Sequence, residues 1–280
     1  MNFTARLREI QRRQNSLVCV GLDADPAKLP ASLSGHADRV VEFNTQIIAA
    51  TKDLVCAYKL NLAFYEAMGR DGWTILHRTL EQIPDTVITI GDAKRGDIGN
   101  SSGFYARALL DDFRFTATTV NPYMGGDSVE PFLKREDRGA FILAVTSNPG
   151  ARDLQYLRVN GKPLYEHVIR KVKSWNTFNN CGLVVGATKP RELQRIRELA
   201  PTMPLLIPGI GAQGGDLALA VRHGCDRSGE LAVINASRSV LYASTREDFA
   251  SAARHAAQQL RDEINGYRIK YFSSLSSLPS

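Results

Sequence analysis

Eight short apolar runs, separated by longer stretches with helical spacing, set the order of residues in this chain. They are SLVCVGLD (16–23), LVCAYKLN (54–61), TVITIGDAK (86–94), FTATTVNP (115–122), AFILAVTSN (140–148), CGLVVGAT (181–188), PLLIPGIG (204–211) and LAVINASR (231–238). Most are continuously apolar rather than alternating. A strand of that kind is covered on both faces, the condition of parallel strands lying between an interior and a layer of helices. In the intervening segments Val40, Phe43, Ile47 and Ile48 share one helical face, and RELQRIREL (191–199) follows Pro190, a residue suited to a first helical turn. Eight strand–helix alternations in about 250 residues predict an α/β fold, a closed (β/α)8 TIM barrel, with 1–280 forming a single domain. An open doubly wound sheet is the alternative. Its first turn usually carries GxGxxG, and GLDADP (21–26) does not.

The ends depart from the repeat. Segment 3–14 places Phe3, Leu7 and Ile10 at helical spacing and is expected to cover the bottom of the barrel. EDFASAARHAAQQLRDEI (247–264) reads as the eighth helix, and the Ser-rich tail 271–280 as loosely held. The longest connection, 148–176, starts polar and Gly-containing, which suits either a mobile lid or a plain surface loop. No apolar run approaches the length of a membrane span, and the N-terminus lacks the apolar region of a signal peptide. Thirty-five Lys and Arg against 29 Asp and Glu give a net charge of +6. That suits an anionic small-molecule ligand, while the scatter of the basic residues speaks against a nucleic-acid partner. The four cysteines, at 19, 56, 181 and 225, form no CxxC pair. They read as small buried hydrophobes of a protein in a reducing compartment, the cytoplasm.

Chemistry in such a barrel sits at the C-terminal ends of the strands. Those ends carry Asp23; Lys59 and Asn61; Asp92 and Lys94, with Asp97 in the following turn; Asn121; Thr146 and Ser147; PGIGAQGG (208–215); and Asn235, Ser237 and Arg238. Residues two apart on a strand point the same way, so Lys59 with Asn61, and Asp92 with Lys94, can line the mouth. Strands two and three are neighbours, so the chain implies an alternating array of Lys59, Asp92, Lys94 and Asp97. At ~4 Å and an effective dielectric near 20, each adjacent pair is worth about 4 kcal/mol before desolvation. A salt-bridge network that merely closes the barrel top is the bland alternative. A metal site is disfavoured, because Lys94 stands between the carboxylates and the five histidines (36, 77, 167, 223 and 255) are isolated from one another and from the strand ends. A Schiff-base role for Lys94 is disfavoured too, because neighbouring carboxylates hold an amine protonated. After strands seven and eight, glycine backbone and Arg238 form a candidate phosphate site, the usual place for one in this fold.

These segments resemble the orotidine 5′-phosphate decarboxylase family. GDAKRGDIGNSS (91–102) matches its Asp-x-Lys-x-x-Asp-Ile signature; AYKLNLAFYEAMG (57–69), VTSNPGA (145–151), IPGIGAQGGD (207–216) and NASRS (235–239) follow in the family's order. The length and the segments KLNLAFYE and NPYMGGDS resemble its longer bacterial subgroup. The resemblance implies Lys94 as proton donor, Asp92 beside the substrate carboxylate, Lys59 supporting the charge array, and Asp97 serving the partner's site in a homodimer. It also implies substrate contacts from Asp23 and Lys59 at the ribose, from Asn61, Ile98 and Ser101, and from Thr146 or Ser147 at the pyrimidine. Gln213 and Arg238, with backbone around Gly209 and Gly211, would hold the phosphate, and Pro208 would be a further substrate contact. Ser101 stands where many relatives carry Thr and keeps the hydroxyl. The resemblance implies no metal and no organic cofactor. A sugar-phosphate decarboxylase or epimerase of similar barrel design, often metal-dependent, and a non-catalytic nucleotide-binding barrel are the competing functions.

Overall fold

A computed structural model describes residues 1–34, 36, 38–211 and 214–273. Each apolar run supplies one strand: β1 (Val18–Gly21), β2 (Ala57–Asn61), β3 (Ile88–Arg95), β4 (Ala117–Val120), β5 (Gly139–Val145), β6 (Cys181–Val185), β7 (Leu205–Pro208) and β8 (Ala232–Ala236). All pair in parallel with their sequence neighbours, and β1 pairs with both β2 and β8, which closes the barrel. The strands are mostly shorter than the runs that foretold them, because the run ends bend away into the mouth loops.

Double burial explains the continuous hydrophobicity. Cys19, Ala57, Ile88, Ile90, Ala117, Phe141, Val184, Leu206 and Val233 point inward and form one cluster. Alternate residues such as Val18, Val20, Tyr58, Ile142, Leu183 and Ile234 point outward onto the helices. Phe3, Leu7 and Ile10 of the helix Phe3–Gln14 join the inner cluster, so that helix does cover the bottom. Phe3 meets Phe141 edge-on with centroids 5.8 Å apart, and a side chain at Gly139 would come within 2.5 Å of the Phe3 ring. Gln11 on the same helix donates to the Ala232 carbonyl at 2.7 Å and accepts from the Leu231 N–H at 2.9 Å, which satisfies the buried start of β8. The expected helical faces form at Arg39–Thr51, with Val40, Phe43, Ile47 and Ile48 buried, and at Pro190–Leu199.

Two expectations are corrected. The last helix runs Phe249–Phe272, beyond the expected end at 264 and into the first residues of the expected tail. It continues because Arg268 donates to the Gly229 carbonyl at 2.8 Å and Phe272 packs on Gly229; residues 274–280 lie outside the described residues. The 148–176 connection is no open loop. It contains a helix Ala151–Leu154, a two-residue antiparallel ladder (Arg158–Val159 with Lys162–Pro163) and a helix Leu164–Trp175. Asn160 and Gly161 turn the ladder with φ of 49° and 75°, the left-handed pair that Asn-Gly favours in a tight hairpin. No helix among the described residues is long and apolar enough to cross a membrane. All four cysteines are buried and free of disulfides, and burial pushes the Cys56, Cys181 and Cys225 thiols up to about 12.

Candidate active site

Above the inner apolar cluster the barrel interior turns polar. A cavity of about 550 Å³ opens at the C-terminal ends of the strands, floored by Leu143, Val184 and Leu206. Asp23, Lys59, Asn61, Asp92 and Lys94 line one side; Thr146 and Ser147 line the mouth after β5; Pro208, Gly209 and Arg238 line the side formed after β7 and β8. Of the fifteen positions that the sequence offers as substrate or catalytic contacts, parallel pairing of the strands brings these ten into one cavity.

Charge alternates across β1, β2 and β3. Lys59 is 4% exposed, and its Nζ lies 3.6 Å from Asp23 Oδ2 and 3.2 Å from Asp92 Oδ2. Burial works to lower the Lys59 pKa, but the two carboxylates outweigh it and raise it. Asp92 Oδ1 accepts from Lys94 Nζ at 2.7 Å and from the Thr119 hydroxyl at 2.8 Å. Burial would raise the Asp92 pKa; Lys59, Lys94 and these hydrogen bonds overcome it and hold the carboxyl at about 2. Asp92 is therefore a carboxylate throughout the neutral range. Asp23 is fixed from both sides, accepting from the Asn61 N–H at 3.1 Å and the Ser237 hydroxyl at 2.8 Å. Both lysines line the cavity, Lys94 as the half-exposed cation of the array and Lys59 as the buried one.

Asp92 and Lys94 meet as their spacing implied, though not by plain pleating. Gly91 pairs with Thr118 and Arg95 with Val120, so β3 bulges against β4 between them, and Lys94 has φ +48°. The left-handed region is unusual for a residue with a side chain and recurs where surrounding structure enforces it at functional sites.

Asp97, Ile98 and Ser101 do not line the cavity of their own chain. Asp97 Oδ1 accepts from the Ile98 N–H at 2.8 Å, Ile98 is 61% exposed, and Ser101 lies exposed on the helix Gly99–Arg107. The four-membered array read from the sequence thus ends at Lys94 within one chain: the turn after β3 carries Asp97 outward. Gly211 is exposed, with φ +74°, and also lies off the cavity wall. Gln213 falls outside the described residues.

Some lining residues escaped the sequence reading. Thr119 sits two residues after the inward Ala117 on β4, and that period was the available signal. Tyr242, whose hydroxyl accepts from the Asp25 N–H at 2.9 Å and holds the loop after β1, had none. Gln155 accepts from the Thr146 N–H at 2.9 Å and donates to its hydroxyl at 2.8 Å, so the helical segment after β5 clamps the mouth residue. Among the described residues no group of three or more His, Cys, Asp or Glu side chains is placed to hold a metal ion.

A family model described as orotidine 5′-phosphate decarboxylase / HUMPS family matches residues 16–253. The orotidine 5′-phosphate decarboxylase of Dehalococcoides mccartyi is 50% identical over 275 residues, covering 97% of this chain and 100% of that protein. That of an Azoarcus species is 50% identical over 270 residues, covering 96% and 100%. Among solved structures, the Leishmania donovani OMP decarboxylase superposes with a TM-score of 0.84 at 39% identity, covering 96% of this chain and 100% of that one.

Proposed function

The chain belongs to the orotidine 5′-phosphate decarboxylase / HUMPS family, and from that premise we infer that it is an orotidine 5′-phosphate decarboxylase, a carboxy-lyase that forms UMP and CO2 in pyrimidine biosynthesis. The observation that carries the reading is the Asp92–Lys94 pair at 2.7 Å, facing a cavity large enough for a nucleotide, with Lys59 behind Asp92.

The chemistry follows from the placement of charge. The bond from pyrimidine carbon six to its carboxylate breaks, CO2 leaves, and the electron pair remains on the ring carbon. No neighbouring carbonyl takes up that pair directly. An ammonium already in place stabilises the developing charge without reorganising. Lys94 Nζ then gives its proton to carbon six and regains one from solvent. Asp92, ionised and anchored by Lys59 and Thr119, pairs with the Lys94 ammonium and directs it. Asp23 and Lys59 would take the ribose hydroxyls, with Asn61 beside them, and Thr146 or Ser147 the pyrimidine edge. The backbone of Pro208, Gly209 and Gly211, Gln213 and the Arg238 guanidinium would bind the phosphate. Arg238 pairs with no carboxylate among the described residues, which leaves its fork available.

The proposal includes a homodimer with shared sites. Exposed apolar side chains fall on the segments after β3 and β4, among them Ile98, Phe104, Tyr105, Tyr123 and Met124, and exposed apolar surface there supports an interface. Docking two copies there would carry Asp97, Ile98 and Ser101 toward the partner's cavity. The proposed location is the cytoplasm, in keeping with four buried free thiols.

Incubation with orotidine 5′-phosphate, following UMP and CO2, tests the reading, and a chelator is expected to leave the rate unchanged. Chelator-sensitive turnover, or turnover of a sugar phosphate in its place, would favour a metal-dependent barrel instead. Arg238→Ala is expected to raise KM strongly and lower kcat/KM, because remote phosphate binding is used to orient the reacting ring. A substrate analogue without phosphate should be nearly indifferent to this change. If the analogue suffers equally, Arg238 has a structural role.

A further inference from the structure

The bulge in β3 sets three residues, Asp92, Ala93 and Lys94, against Thr119 alone on β4. Such an expansion takes the Lys94 N–H out of the strand ladder, and the left-handed backbone at Lys94 is disfavoured for any residue with a Cβ. Both demands converge on one hydroxyl. Thr119 Oγ1 accepts from the Lys94 N–H at 2.9 Å and donates to Asp92 Oδ1 at 2.8 Å. The same Asp92 oxygen receives the Lys94 ammonium at 2.7 Å. Because the hydroxyl has one hydrogen and gives it to the carboxylate, its acceptor side is turned to the amide. Thr119 is 1% exposed, so both bonds are shielded from bulk water.

We propose that Thr119 is a positioning residue for the decarboxylation. Its single hydroxyl locks the backbone of Lys94 and the carboxylate of Asp92 together, so that the ammonium stays aimed into the cavity. Thr119 does not itself act on the reacting atoms. This inference rests on the decarboxylase reading and adds a residue to it.

The test compares Thr119→Val, which keeps the shape and removes the hydroxyl, with Thr119→Ser, which keeps the hydroxyl. Loss of a hydrogen bond to a charged group predicts a kcat at least about tenfold lower in the valine variant. KM and the Kd for UMP should stay within about threefold, since neither sensed group moves off the substrate-binding walls. The serine variant should keep kcat within about threefold of wild type. A valine variant that loses less than tenfold in kcat, or raises KM as much as it lowers kcat, overturns the proposal. Should the valine variant fail to bind UMP at all, the serine variant decides: kcat within threefold supports the role, and a greater loss overturns it. A wild-type chain that forms no UMP overturns the decarboxylase reading itself, whereas an active wild type with an indifferent valine variant removes only the role of Thr119.

Discussion

Lys94→Ala is expected to lower turnover by at least about 10²–10³-fold, the usual cost of removing one preorganised charge from a developing anion. Loss of the proton donor adds to that, so no measurable UMP should form. Binding should survive. Lys94 is half exposed and among the described residues makes its ion pair with Asp92 alone, and Asp92 keeps Lys59 at 3.2 Å and the Thr119 hydroxyl at 2.8 Å when Lys94 is gone. The carboxylate therefore stays compensated and the barrel wall stays closed. Calorimetry with UMP, alongside the absorbance assay for turnover, separates the two effects. Retention of more than a tenth of wild-type activity would remove Lys94 from the centre of the mechanism.

The second large effect concerns Asp97, which the turn after β3 carries away from its own cavity. Lys94→Ala and Asp97→Ala should each be inactive as homodimers. When the two are mixed and allowed to exchange subunits, one site of each mixed dimer collects both defects, while the other takes Lys94 from one chain and Asp97 from its partner. Random exchange makes half of the dimers mixed, so activity should return to about one quarter of wild type at most, given a two-fold interface that builds both sites alike. If Asp97 serves its own chain, every site keeps one defect and mixing restores nothing. Exchange confirmed by native mass spectrometry without recovered activity would refute the shared site.

Much of this molecule was legible along the chain. The eight apolar runs became the eight strands because double burial demands uninterrupted hydrophobicity, a local property of composition. Phe3, Leu7 and Ile10 announced a helix with one apolar face. Lys59, Asp92 and Lys94 could be placed together because neighbouring parallel strands end at the same level. The Asn160–Gly161 hairpin carried a signal in the sequence, but it was hidden inside a connection long enough to pass for a loop. The extra turns of the last helix had none, since Arg268 and Phe272 are held by the Gly229 segment, far away in the sequence.

Residue order thus determined the elements, their parallel arrangement and the charged residues at their ends, because periodicity and strand-end position are properties of a short segment. Tertiary structure alone decided how those charges meet and where the array stops. Asp92 and Lys94 depend on a bulge and a left-handed residue held by Thr119 across the β3–β4 seam. Asp97, three residues beyond Lys94, is turned out of its own cavity. The physical reason is the same in both cases. The register between two strands and the exit angle of a turn are set by barrel closure and by hydrogen bonds between segments distant in sequence, and no local pattern encodes them.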